Sequence, residues 1–488
     1  MTSMYSKATL CNMNKKIIGR KIECERLDEC MAANQAQLII VYGRRRVGKT
    51  FLVNEYFDNR FAFKLTGSYG QPKEVQLRIF DTSLSRQTGD EKLSSKDWFD
   101  AFNNLRNYVE TLDKGKKQVI FFDEMPWLDT QKSGFLAAFE WFWNDWASTR
   151  NNLVFIACGS ATSWMDEKIV NNKGGLFNRQ ACRLFLKPFS LKEVEEYLQS
   201  KNINWSRYDI VQCYMIMGGI PYYLSLLNSK DSLSLNIDKL FFTYRGELSD
   251  EFEHLYRTLF TNSASYLKVV EALSKKRGGL TREELLRVLN KQSGGDLSVI
   301  LKNLELSGFI RISNFFNKKR KNALYQLCDY YTSFYFKFIK DNYGKDEHYW
   351  SNAVDNPSKR SWEGFVFEQV CRDHISQIKL KLGISGVLSE ESSWFVKGDD
   401  VNAGAQVDLL ISRRDRVINL CEIKFATAEY TIDKDYDLKL RNKIEAFRSV
   451  TNYKGTIQLT LITTYGLKQN QYSSLSQSQI VMDDFFAR

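Results

Sequence analysis

The stretch Gln37-Leu-Ile-Ile-Val-Tyr42 runs directly into Gly43-Arg44-Arg45-Arg46-Val47-Gly48-Lys49-Thr50 and then Phe51-Leu-Val-Asn-Glu-Tyr56. The first part is a short apolar run that reads as a buried strand, the second is a full G-x-x-x-x-G-K-T, and the third has a helical pattern. Gly43 and Gly48 permit backbone conformations in which successive N–H groups, from Arg44 through Val47, point at phosphate oxygens. The helix that begins beyond them, carrying Phe51, adds its positive end. Lys49 would reach the β- and γ-phosphates, and the Thr50 hydroxyl would ligate Mg²⁺. The expected cofactors are therefore ATP and Mg²⁺. Strands and helices alternating around the loop predict a three-layer α/β core with a mainly parallel sheet.

A second apolar run, Gln118-Val-Ile-Phe-Phe122, ends in Asp123-Glu124. Asp123 is expected to hold Mg²⁺ through water and Glu124 to polarise an attacking water, although a carboxylate there could also cap the next helix. A third run, Leu153-Val-Phe-Ile-Ala-Cys158, ends in Gly159-Ser160. Ser160 is either a sensor of the γ-phosphate or a turn former. Arg179 is either a finger that stabilises transferred charge, in cis or from a neighbouring copy, or a surface arginine. The helical stretch from Phe135 to Trp146 carries so many aromatic residues that it reads as a core helix.

The order Ile18-Gly19-Arg20-x-x-Glu23, GRRRVGKT, FFDE, GS, Leu176-Phe-Asn-Arg179, Leu186-Lys-Pro-Phe-Ser190 and Gly218-Gly219-Ile220-Pro221-Tyr222 resembles the archaeal and Bacteroides-type ATPases of the AAA+/STAND group. That resemblance implies an adenine flanked by Ile18 and Gly19 on one side and by Pro221 of a helical lid on the other. Pro221 could equally be a kink between helices.

At 488 residues the chain is too long for one core. The expected organisation is a loose tail (1–16), a P-loop core (17–190), a helical lid (191–245), a winged helix (246–335), a connector (336–360) and a small α/β domain (361–488). Within the winged helix, Thr281-Arg-Glu-Glu284 is a capping box. A helix from about Leu297 to Leu306 and a hairpin tipped by Lys318-Lys319-Arg320-Lys321 follow. Such a domain lays its third helix in the major groove, or it packs on the motor and transmits nucleotide state.

In the last domain, Asp408 lies in one strand, and Glu422 and Lys424 lie in the next. This D-x13-E-x-K hairpin resembles the PD-(D/E)xK nuclease superfamily. Glu422 and Lys424, two apart on a strand, project from one face, and pairing of Asp408 near Leu420 would bring it to that face. Converging carboxylates need a cation, so Mg²⁺ or Mn²⁺ on Asp408, Glu422 and Glu368 is expected, with Lys424 positioning or deprotonating the attacking water or neutralising charge on the phosphate. The first acid could also be Glu363. Cleavage of DNA is one reading; a domain kept only for contact with DNA or protein is the other.

The formal net charge of +11 is uneven: residues 361–488 hold 16 Lys/Arg against 17 Asp/Glu, so the excess lies upstream. Residues 262–330 hold 13 basic against 6 acidic side chains. A surface of this kind favours a polyanion such as DNA, or is simply solvated. Nine scattered cysteines, three histidines and no long apolar stretch argue against zinc frameworks, disulfides, secretion and membrane spans, and point to the cytoplasm. A homo-oligomer is compatible with Arg179 acting between copies.

Overall fold

Strand β1 (Gln37–Tyr42) is buried at every residue but its last, because it runs between two other strands rather than at an edge. The computed structural model describes residues 17–487 apart from 91–92, 173, 177–178, 261, 291–293, 318–322, 354–355 and 399–403. The basic hairpin tip at 318–321, Phe177 and Asn178 thus lie outside the described residues. The chain divides into two units, residues 1–188 and 189–488.

In the first unit β1 is joined by β2 (Phe63–Thr66), β3 (Gln118–Asp123), β4 (Leu153–Gly159) and β5 (Cys182–Phe185). Their order is β2-β3-β4-β1-β5, and every pairing is parallel. Parallel neighbours require crossovers, and the helices Lys73–Thr88, Trp98–Glu110 and Phe135–Asp145 provide them. Asp97 caps the second of these by accepting from the Asp100 N–H. The aromatic helix is a core element as expected, with Phe135, Phe139 and Phe142 all buried. Phe102 stacks on Phe142 at 5.0 Å and on Phe122 of β3 at 5.9 Å between ring centroids.

The second unit begins with the helices Leu191–Ser200 and Arg207–Met217. At the turn that follows, a Cβ on Gly219 would sit 1.9 Å from the Phe189 carbonyl oxygen, so only glycine fits there. The Phe189 N–H donates to the Gly219 carbonyl at 2.6 Å, and Pro221 starts the next helix at its first position. The glycines and the proline therefore have a local backbone role.

Strands β6 (Leu280–Thr281), β7 (Ile310–Ser313) and β8 (Leu324–Leu327) form an antiparallel sheet in the order β6-β8-β7. It accompanies the helices Ser263–Ser274, Arg282–Val288 and Gly295–Leu306, and the capping box at Thr281 and Glu284 is present. The two-residue β6 was not legible, being too short to show alternation. The last sheet is β9 (Ser389–Val396), β10 (Ala405–Arg413), β11 (Val417–Lys424), β12 (Thr456–Thr463) and β13 (Ser478–Val481), side by side in reverse order. β9, β10 and β11 pair antiparallel; the helix Lys434–Thr451 then crosses over so that β12 runs parallel to β11. Side chains tie the segments of this unit together: His374 accepts from the Leu191 N–H at 3.0 Å, and Gln212 donates to Glu363 at 2.9 Å.

Truncating Phe102 to Ala removes a fully buried ring from the centre of the first core. We expect a loss of roughly 3–5 kcal/mol in the stability of that unit, read from denaturant unfolding.

Candidate functional site

Gly43 follows β1 with φ 145°, and a Cβ there would lie 2.4 Å from the Leu186 carbonyl oxygen. The loop therefore turns where a side chain could not. Gly48, at φ 87°, leads into the helix Lys49–Tyr56. Lys49 is buried and folds back over its own loop, donating to the carbonyls of Gly43 at 3.0 Å and Arg44 at 2.9 Å. Burial lowers its pKa below the usual lysine value, against the pull of Cys158, Glu124 and Asp123.

Thr50 Oγ1 donates to Asp123 Oδ2 at 2.8 Å. A hydroxyl and a carboxylate in contact, at the mouth of a loop rich in N–H groups, form a donor set that fits a hard oxygen-seeking cation bound with a phosphate. Glu124 follows at φ 46°, ψ 45°, a left-handed conformation uncommon for a side-chain-bearing residue. Ser160, at the end of β4, holds its carboxylate with two bonds: Oγ to Oε1 at 2.6 Å and N–H to Oε2 at 3.1 Å. The structure thus gives Ser160 a definite partner that spacing alone did not reveal.

Ile18 and Gly19 are half-buried and precede the buried Arg20, which donates to the Val47 carbonyl of the loop at 3.0 Å. Arg20 was missed as a site residue; its position in the Ile18-Gly19-Arg20 run was the available signal. Arg45 and Arg46 are half-exposed, Phe51 is exposed and Arg179 is exposed. Pro221 belongs to the second unit.

The second candidate site lies on β10, β11 and the helix Pro357–Asp373. Leu410, not Asp408, pairs with Leu420, two residues from the expected register, and a bulge interrupts the pairing of β10 with β9 between Val407 and Leu410. Glu422 is buried, and both of its oxygens are occupied: Tyr436 donates at 2.6 Å and Lys424 approaches at 3.0 Å on one, while Lys443 bonds the other at 2.6 Å. Burial alone would raise Glu422; Lys443 and Lys424 hold it below the usual carboxylate range. Gln406 donates to Asp408 at 2.6 Å. Arg372 donates to the Asp408 carbonyl and, at 2.9 Å, to Ser393.

Burial, and then Asp408, push Glu368 up to about 8. Of the two candidate first acids, Glu368 is the one that senses Asp408; Glu363 instead accepts from Gln212 and faces Lys359. The expected three-carboxylate metal cluster of Glu368, Asp408 and Glu422 is not assembled. Among the described residues, no group of three or more His, Cys, Asp or Glu side chains is placed to hold a metal ion. Glu422 is compensated instead by two ammonium groups, those of Lys443 and Lys424. Lys443 and Tyr436, on the helix Lys434–Thr451, were missed because nothing in their local pattern sets them apart from ordinary surface residues.

The comparisons with known proteins follow this geometry. Residues 18–227 match the model of an ATPase domain predominantly from Archaea. An uncharacterized protein of Methanocaldococcus jannaschii is 26% identical over 428 residues, covering 86% of this chain and 89% of its own length, so that similarity runs well beyond the ATPase domain. An uncharacterized ATP-binding protein of the same organism is 49% identical over 43 residues, 9% of this chain and 73% of its own. Among solved structures, a Walker-type ATPase of Pyrococcus abyssi is 18% identical with a TM-score of 0.46, covering 66% of this chain and 96% of that one. The Aeropyrum pernix ORC2 protein is 14% identical with a TM-score of 0.40, covering 74% and 96%. No helix among the described residues is long and apolar enough to cross a membrane.

A carboxyl raised in the folded state keeps its proton there while the unfolded chain has released it. Stability therefore falls as pH rises from the ordinary carboxylate range to about 8 and levels off above. We expect Glu368→Gln to flatten that fall, measured as the unfolding midpoint at several pH values across the window.

Proposed function

We propose that this chain, an ATPase whose residues 18–227 belong to the archaeal-type domain family, is an AAA+/STAND-type nucleotide switch: it hydrolyses ATP at the Gly43–Thr50 loop and passes the nucleotide state to its second unit. The hydrogen bond from Thr50 to Asp123 carries the reading, because it places the two expected Mg²⁺-holding groups in contact. Lys49 exchanges the Gly43 and Arg44 carbonyls for phosphate oxygens when nucleotide enters. Thr50 and Asp123 would hold Mg²⁺, which would supply positive charge against the phosphate oxygens. Glu124, steadied by Ser160, orients the attacking water and accepts its proton. Ile18 and Gly19 flank the adenine, and Arg179 serves a neighbouring copy as a finger.

The observation that tests the hydrolytic assignment is a split between binding and turnover. Glu124→Gln is expected to bind ATP within about threefold of wild type while kcat falls by roughly 10²-fold or more. Lys49→Ala is expected to lose tight ATP binding itself. Equal losses of binding in both variants would overturn these roles.

For the last domain, the compensation of Glu422 by Lys443 and Lys424 favours a contact role over metal-dependent cleavage. The sheet and the D-x13-E-x-K residues support a nuclease-like ancestry. Strand β11 and the crossover helix would present Lys424 and Lys443 to a phosphodiester of DNA without cutting it. Plasmid DNA incubated with the full chain, ATP and Mg²⁺ or Mn²⁺ is expected to stay intact. Cleavage abolished by Asp408→Ala would restore the endonuclease reading.

A further inference from the structure

A cavity of about 220 Å³ opens between the end of the helix Ser263–Ser274, residues 333–341 and the helix Pro357–Asp373, the helix that also carries Glu368. Its walls include the rings of Phe336, Trp362 and Phe365. Lys275, Arg277, Lys337 and Lys340 stand around it, against the acidic Glu271 and Asp341. Glu271 is already committed, to Lys340 at 2.8 Å and Lys275 at 3.5 Å. Lys337 is exposed and has no ion-pair partner among the described residues. The Arg277 guanidinium lies 5.8 Å from the Phe365 ring centroid and bonds Ser361 Oγ at 2.8 Å, which orients it over that ring. Lys340 sits likewise over Phe336 at 5.5 Å.

We propose that this cleft binds nucleotides of single-stranded nucleic acid, with a base stacked on Arg277 at the aromatic wall and the adjoining phosphates on the neighbouring cations, Lys337 among them. Three observations converge on that chemistry. Arg277, lying over Phe365, offers an unpaired base a guanidinium plane to stack on, and the neighbouring cations take up the backbone charge, the pairing by which single strands are held without sequence preference. The concave shape admits an unpaired base and not the closed edge of a duplex. The four cations around the cleft, Lys275, Arg277, Lys337 and Lys340, outnumber its two carboxylates, Glu271 and Asp341, and so favour an anion over a neutral ligand. An acidic peptide would satisfy the cations and leave the rings without a flat partner. The solvent face of the helix Gly295–Leu306, by contrast, exposes Asp296, Val299 and Glu305 with Lys302, which suits phosphate poorly.

The test uses the full chain with ADP saturating the P-loop and a fluorescent oligothymidine, with Arg277→Gln/Lys337→Gln and Phe365→Ala as variants. ATP turnover and thermal melting serve as folding controls. We expect each variant to weaken the strand by about tenfold while turnover is retained. The slope of log affinity against log salt should become shallower by about 0.7 for each cation removed. AMP and a duplex of equal length should compete at least tenfold less well. Lys424→Gln/Lys443→Gln reports on the last domain: strand binding lost there while the cleft variants bind as wild type would assign the contact to that domain and overturn the proposal. So would an absence of strand binding, unchanged affinity in both cleft variants, or AMP competing as well as the strand.

Discussion

One hydrogen bond, from Thr50 to Asp123 at 2.8 Å, joins two strands' ends that are not neighbours in the sheet. The strand carrying the loop and the strand carrying the carboxylate are separated by β4. The contact exists only because all three strands run parallel and end at the same edge. The same constraint delivers Ser160, at the end of the intervening strand, to Glu124. Four functional groups from three strand ends meet because the crossovers return every strand in one direction. The aromatic core beneath, from Phe80 through Phe155, keeps those ends in register.

The loop is also arranged to hold its own charge in the absence of ligand. A buried ammonium without partners would be costly; Lys49 finds two carbonyls of its own loop, and the phosphate that binds must offer at least as much. The compensation of Glu422 in the last domain follows the same rule with opposite sign. There two lysines and a tyrosine stabilise a buried carboxylate so fully that a cation would have to displace them.

The first site was legible because its chemistry is local: the strand, glycines, lysine and threonine are consecutive, and the Asp123-Glu124 pair closes an apolar run. The aromatic helix, the capping box at Thr281 and the β10–β11 hairpin were legible for the same reason, each being set by a short-range pattern. The partnership of Ser160 with Glu124 spans 36 residues, and that of Lys443 with Glu422 spans 21; both depend on where a crossover sets down its strand or helix. Asp408 was placed two residues from its actual register because the pairing of β10 with β11 is fixed by the turn between Arg413 and Val417, whose geometry alternation alone does not give. The joining of the helix Leu191–Ser200 to the end of the helix Pro357–Asp373, through Leu191 and His374, spans 183 residues and leaves no local trace.

The left-handed backbone at Glu124 carries a consequence for how such a protein can change over time. That conformation costs a side-chain-bearing residue on the order of 1 kcal/mol, which glycine would recover. Lineages adapting to heat therefore face a standing temptation at this position, since the easiest stabilising replacement deletes the carboxylate to which we assign the activation of water. Any chain of this kind that has lost the acid but kept the turn would be read as a molecule that still closes on nucleotide and no longer consumes it.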